Sequence, residues 1–211
     1  MTNEITNLFN EMTFYPAFIN DMLKAENEVI IYSPFISKYR ADFFKKTLLR
    51  LKRKNVYVFI FTRPILEHEE YAQEEVKSAI QNYEELGVHV TYIQGSIHEK
   101  VAVIDRKIVW EGSLNILSQK VSKELMMRFA DEDFAAQILS HLELNQKLIN
   151  RYKVNGLPHG LKLDFGQKIK IFLIEPVACV IKWSLTAILK IMIVLLRGFL
   201  AIFSIVGAIL R

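Results

Sequence analysis

The period of the apolar positions changes several times along this chain, and each change predicts an element. From Phe14 to Lys24 they recur at helical spacing, which predicts a short amphipathic helix. Val29 to Ser33 is apolar, stops at Pro34 and predicts a buried first strand. From Tyr39 to Lys54 a second helix is expected. It turns Phe43, Phe44, Leu48 and Leu51 to the core and leaves Arg40, Lys45, Lys46, Arg50, Lys52, Arg53 and Lys54 to solvent. Val56 to Thr62, VYVFIFT, is apolar almost throughout, the mark of a central strand covered on both faces. His68 to Leu86 has the length and composition of a helix, with Gly87 where a C-cap belongs, and Val88 to Ile93 reads as the next strand.

Further on, the apolar run around Val101 to Ile104, the turn-forming pair Asp105-Arg106 and the run Lys107 to Trp110 predict a hairpin. Glu124 to Phe129 is a last strand, and Asp131 to Arg151 a helix with Phe134, Ile138, Leu142 and Leu148 on one side. Strands alternating with helices, then a hairpin, imply an α/β fold: a mixed β-sheet sandwiched by helices. Gly156, Pro158, Gly160 and Gly166 fall in a stretch without periodicity, so residues 1–151 should form one domain and 152–168 a linker.

Residues 169–211 are of another kind. From Pro176 to Arg211 the chain holds no further proline and few polar residues, which predicts one long C-terminal hydrophobic helix. Apart from Ser184, its exceptions, Glu175, Lys182, Thr186, Lys190, Arg197, Ser204 and Arg211, fall within a single stripe about 80° wide at helical spacing. A charge every seven or eight positions as far as Arg197 is too frequent for a plain membrane anchor. A helix lying in the membrane interface, a membrane bundle with its stripes turned inward and a soluble bundle all satisfy the pattern. Membrane association through residues 169–211 is the reading adopted, with the preceding domain in the cytoplasm, because MTNEITNLFNEM has no basic region followed by an apolar one.

Charge sharpens this division. Residues 1–169 carry 22 Lys and Arg against 22 Asp and Glu, whereas the remainder carries five against one. The net charge of +4 thus belongs to the tail and says nothing for nucleic acid. Within the neutral part, Lys38 to Lys54 holds eight basic residues against one acidic, which suits either a solvated helix face or contact with a phosphate backbone. Glu67, Glu69, Glu70, Glu74, Glu75, Glu84 and Glu85 form an acidic run that would repel a polyanion. The single cysteine, Cys179, excludes an intrachain disulfide, and no Cys/His group has metal-ligand spacing, so neither a metal nor a cofactor is expected.

One stretch, SIHEKVAVIDRKIVWEGSLNILS from Ser96 to Ser118, names a chemistry. His98 and Lys100 are two apart and face the same side of an extended strand, so both can meet one substrate. Gly112 lets the backbone approach an anion, and Ser113 and Asn115 offer a hydroxyl and an amide to phosphate oxygens. His98-x-Lys100-x4-Asp105, followed by Gly112-Ser113-x-Asn115, resembles the signature of the phospholipase D superfamily.

That resemblance implies a phosphodiesterase in which His98 attacks phosphorus to give a phosphohistidine, while a second histidine protonates the leaving oxygen and then activates water. It implies that Lys100, Asn115 and Ser113 hold the non-bridging oxygens without a metal, that Asp105 fixes the hairpin, and that Glu124 hydrogen-bonds the nucleophilic imidazole. An ordinary surface glutamate at a strand start is the plainer reading of Glu124. None of His68, His89, His141 or His159 is followed two residues later by Lys, so the second motif must come from another chain, which implies a homodimer with a composite site, as in small single-motif endonucleases of this superfamily. A membrane-associated nuclease is the first expectation, a phospholipid phosphodiesterase or phosphatidyltransferase the alternative, and a non-enzymatic membrane-interacting oligomer the third.

Overall fold

The computed structural model describes residues 7–95 and 97–148, so the expected linker and C-terminal helix lie outside the described residues. A seven-stranded mixed sheet runs through the domain: β1 (Asn7–Asn10), β2 (Glu28–Tyr32), β3 (Tyr57–Thr62), β4 (His89–Tyr92), β5 (Val101–Ile104), β6 (Ile108–Gly112) and β7 (Leu125–Ala130). Its order is β1-β7-β6-β5-β2-β3-β4, with β2, β3 and β4 parallel and the remaining pairs antiparallel.

Alternation along the strands divides the core in two. Val29 and Ile31 of β2 and Val58 and Ile60 of β3 face the helices α1 (Phe14–Lys24), α2 (Lys38–Arg53) and α3 (Gln73–Glu85). Ile30, Tyr32, Phe59 and Phe61 face the other way, toward Ala135 and Leu139 of α4 (Glu132–His141) and toward Leu144 and Leu148. Coverage on both faces explains why VYVFIFT is apolar at nearly every position. A buried polar clasp joins α1 to the sheet: the Asp21 carboxylate accepts from Trp110 Nε1 at 3.0 Å and from Arg128 Nε at 2.6 Å.

Several boundaries differ from expectation for local reasons. Strand β1 is new, because a four-residue segment, NLFN, is too short to show a period of its own; it pairs with β7 and sets Phe9 against Trp110 at 4.8 Å. The helix expected over 68–86 begins at Gln73, behind two single 3₁₀ turns at Ile65–Glu67 and Glu70–Ala72. Gly87 does close it, in the left-handed region at φ 86°, with Val88 N–H donating to Tyr83 O. The helix expected over 131–151 stops at His141, where Glu143 turns left-handed at φ 53°, and helical residues resume at 144–148. On α2, Phe44, Leu48 and Leu51 are buried as expected, but Phe43 is 40% exposed and Arg40 is buried.

Candidate active site

Strand direction gathers the motif at one end of the sheet. Val101 pairs with Tyr32, the last residue of β2, so His98 and Lys100 lie beyond the carboxyl end of the parallel strands. Glu111 pairs with Val101 and Gly112 with Met126, which brings Ser113, Asn115 and Glu124 to the same edge. His98 and Lys100 precede β5 and are not part of it, a correction to the strand expected there, since β5 starts at Val101.

They nevertheless face each other. Lys100 Nζ lies 3.0 Å from His98 Nδ1 and 3.2 Å from Nε2, and donates to the His98 carbonyl oxygen as well. His98 is exposed and Lys100 is buried. Burial lowers the Lys100 ammonium below its ordinary value; the Glu124 and Glu99 carboxylates oppose that shift and Arg63 adds to it. The site thus presents a reachable imidazole with a partly desolvated cation against it, as displacement at an anionic phosphorus requires. The backbone under His98 is held from β3: Arg63 donates to Ile97 O through Nε at 3.1 Å and Nη2 at 2.6 Å, and its guanidinium lies over the Phe35 ring at 4.7 Å.

The loop from Ser113 to Glu124 is tied down along its length. Tyr15 Oη donates to Ile116 O, Ser37 N–H to Leu117 O and Arg40 Nε to Gln119 O at 2.7 Å, with the Arg40 guanidinium 3.6 Å from the Tyr15 ring centre. Arg40 therefore buttresses the site and does not belong to a solvated basic face. Its spacing of four from Phe44 was the signal that could have placed it inward. Ser113 Oγ donates to Glu124 Oε2, and Ser122 Oγ donates to Glu124 Oε1 at 2.7 Å. Glu124 accordingly orients Ser113, where a bond to the imidazole was expected. Asn115 Oδ1 is buried with no protein partner, a polar group whose hydrogen bond is left for something else to satisfy.

Asp105 and Gly112 act on the frame. At the opposite edge, the Asp105 carboxylate accepts from the backbone N–H of Glu26, Asn27 and Glu28 at 2.8, 2.8 and 2.9 Å, which fastens the β5–β6 turn to the start of β2. A Cβ at Gly112 would stand 2.1 Å from Leu125 O, so that glycine is dictated by the approach of β7 and not by a bound anion.

Charge is distributed along the sheet axis. Helix α2 starts at the edge that carries His98 and runs away from it, so Arg50, Lys52, Arg53 and Lys54 lie about 20 Å off along the helix. Two of them close helix ends, Lys54 Nζ donating to Leu23 O and Ala25 O, and Lys52 Nζ to Glu85 O. Glu67, Glu69, Glu70, Glu74 and Glu75, all exposed, stand instead between β3 and the second turn of α3, at the edge that carries His98. An open groove of about 480 Å³, lined by Leu48, Lys52, Asn55, Tyr57, Leu86 and His89, is at the far edge and includes no motif residue. Among the described residues no group of three or more His, Cys, Asp or Glu is arranged to hold a metal ion.

A family model described as cardiolipin synthase, PLD-like domain, matches residues 18–144. No curated protein sequence matches significantly. Among solved structures the chain is similar to Nuc, a phospholipase D family member from Salmonella typhimurium, with TM-score 0.55 and 15% identity over 67% of this chain and 93% of that one. It is similar to NucT from Helicobacter pylori, with TM-score 0.56 and 17% identity over 67% and 95%. Polyphosphate kinase from Porphyromonas gingivalis gives TM-score 0.52 and 12% identity over 75% of this chain and 27% of that one. At these identities the likeness shows the fold alone.

Proposed function

Because the chain belongs to the family of phospholipase D-like domains described by the cardiolipin synthase model, we propose that it is a metal-independent phosphodiesterase whose nucleophile is His98. An imidazole nitrogen of His98 attacks phosphorus, the P–O bond to the leaving group breaks, and a second imidazole gives that oxygen its proton. The same imidazole then takes a proton from water, whose oxygen displaces His98 from phosphorus. Lys100 and the Asn115 amide stabilise the charge on the non-bridging oxygens, with Ser113 held for the same task by Glu124. The second imidazole is His98 of a second copy, in a homodimer whose site spans its two-fold axis. The observation that carries this reading is the Lys100 ammonium resting against an exposed His98 ring.

For the substrate, the layout of charge favours a phospholipid headgroup. The basic stretch of α2 points away from His98 and the acidic segment shares its edge, so a polyanion meets repulsion where a single phosphodiester does not. A nuclease is the second reading, supported by the exposed position of His98, which a long polymer can reach. Incubation with phospholipid vesicles, labelled DNA and labelled RNA, each with and without EDTA, tests both. Headgroup release that survives chelation and vanishes in His98→Ala is the expected result. Activity lost on chelation and restored by a divalent metal would sink the two-histidine mechanism, and cleavage of nucleic acid alone would install the second reading.

A further inference from the structure

The segment that carries His98 and Lys100 lies between β4 and β5 and belongs to neither. Away from the sheet ladder, its backbone polar groups need partners of another kind. Some of these are local. Ile97 N–H donates to Gly95 O at 2.9 Å, His98 N–H donates to Glu99 Oε2 at 2.9 Å, and the His98 carbonyl accepts from Lys100 Nζ. Such bonds shape the segment without fastening its middle to the sheet. Among the described residues, the hydrogen bonds that reach 94–99 from another part of the chain both come from Arg63, whose Nε and Nη2 converge on Ile97 O at 3.1 and 2.6 Å. Arg63 directly follows β3, and the carbonyl it holds shares one planar peptide unit with the His98 nitrogen. A fork closed on that oxygen therefore fixes the plane from which the His98 side chain departs. The fork is itself held. Arg63 is half-buried with its guanidinium over the Phe35 ring, 4.7 Å from the ring centre, and the His68 ring meets Phe35 edge-on at 5.9 Å. Stacking limits a planar guanidinium to one orientation, which a flexible ammonium would not keep.

We infer that Arg63 is a positioning residue for the reaction at His98: its fork fixes the Ile97–His98 peptide and so keeps the imidazole against the Lys100 ammonium. Nothing in the His-x-Lys pattern points to Arg63, which comes from a different strand and touches the backbone of the nucleophile's segment instead of its side chain. Displacement reactions are sensitive to such alignment, a misplacement of about 1 Å costing about a hundredfold in rate. The inference rests on the phosphodiesterase reading for its purpose, but the hold on His98 can be observed without turnover.

The experiment compares the full chain as wild type, Arg63→Lys and Arg63→Ala, with a soluble aryl phosphodiester as substrate and thermal unfolding as the control for folding. The Cε1 resonance of His98 in histidine-labelled protein, assigned by its loss in His98→Ala, is read in the absence of substrate. Arg63→Ala should lower kcat about tenfold to a hundredfold and leave KM within about twofold of wild type. Arg63→Lys, which keeps the positive charge near Lys100 but not the fork, should recover little of that loss. Added guanidinium ion should restore part of the rate in Arg63→Ala, and sodium chloride at the same ionic strength none of it. The His98 resonance should move in both variants. Wild-type kcat in folded Arg63→Ala would overturn the inference. A raised KM at unchanged kcat would put Arg63 on the substrate, and full activity in Arg63→Lys would reduce its part to charge; either overturns it. A loss of kcat that only tracks a loss of folded protein, with the His98 resonance of the folded fraction unmoved, makes Arg63 a purely structural residue and overturns it as well. Should Arg63→Ala not fold, Arg63→Lys decides by the same two readouts. If no form hydrolyses the diester, the phosphodiesterase reading fails by itself, and the resonance still decides the hold: moved in both variants it stands, unmoved it falls.

Discussion

Lys100 is buried, where a cation is costly, and its place beside His98 accounts for that cost. Its folded value is depressed, chiefly by burial, below the unfolded value near 10.5, so between the two the unfolded chain binds the additional proton. The charged side chain therefore costs stability below the folded value, and that cost fades as pH rises through the window. Two outcomes are expected. The alkaline limb of the diesterase pH–rate profile falls at lower pH than an exposed lysine would give, and Lys100→Arg shifts it upward. Lys100→Met melts at higher temperature than wild type at neutral pH while losing turnover, as expected where a site holds strained electrostatics for function. Gly112 carries the opposite kind of constraint. Gly112→Ala forces a methyl against the Leu125 carbonyl and should cost about 2–3 kcal/mol in urea unfolding, with the strand pair β6–β7 the first to lose protection from amide exchange. Sequence alone located both residues, but it assigned Gly112 to an anion because the strand that crowds it is set by pairing with Met126, which no local pattern reveals.

Between elements, the most consequential link is the one from the β5–β6 turn to β2. Asp105→Ala leaves three backbone N–H groups without their acceptor and should destabilise the fold by about 3 kcal/mol, whereas Asp105→Asn keeps an oxygen for Asn27 and Glu28 and should lose less; thermal unfolding of the two variants measures the difference. Periodicity was enough to place α1, α2, β3, β4 and the hairpin, since each has a face or two faces buried and so a readable repeat. It failed where a segment's structure depends on what it meets. Strand β1 is a strand because β7 offers it an edge, and Arg40 turns inward because the Tyr15 ring and the Gln119 carbonyl receive it. The segment 65–72 follows the sheet edge in 3₁₀ turns, although its glutamates suit an α-helix.

For the molecule as a whole, the sequence displayed blocks of charge without saying which end of the sheet each would occupy; topology supplies that. Strand direction puts the acidic block with His98 and sends the basic end of α2 away. The proposed two-fold site has its own test. Heterodimers of wild type with His98→Ala, isolated by differential tagging, each lack one of two required imidazoles and should be inactive on a soluble diester, so strong turnover would place the second imidazole elsewhere. The pairing of β1 with β7 bears on how such a chain is made. Asn7 faces Arg128 in that register, so the first strand to leave the ribosome has to wait for the last one before the sheet can close. Until then β1 and the outer edge of β6 both lack their neighbour, and nascent chains growing side by side are at that moment able to stitch to one another through them. A slow passage through synthesis at this point, or loss of the residues before Thr13, should therefore turn the product from folded domain to strand-linked aggregate.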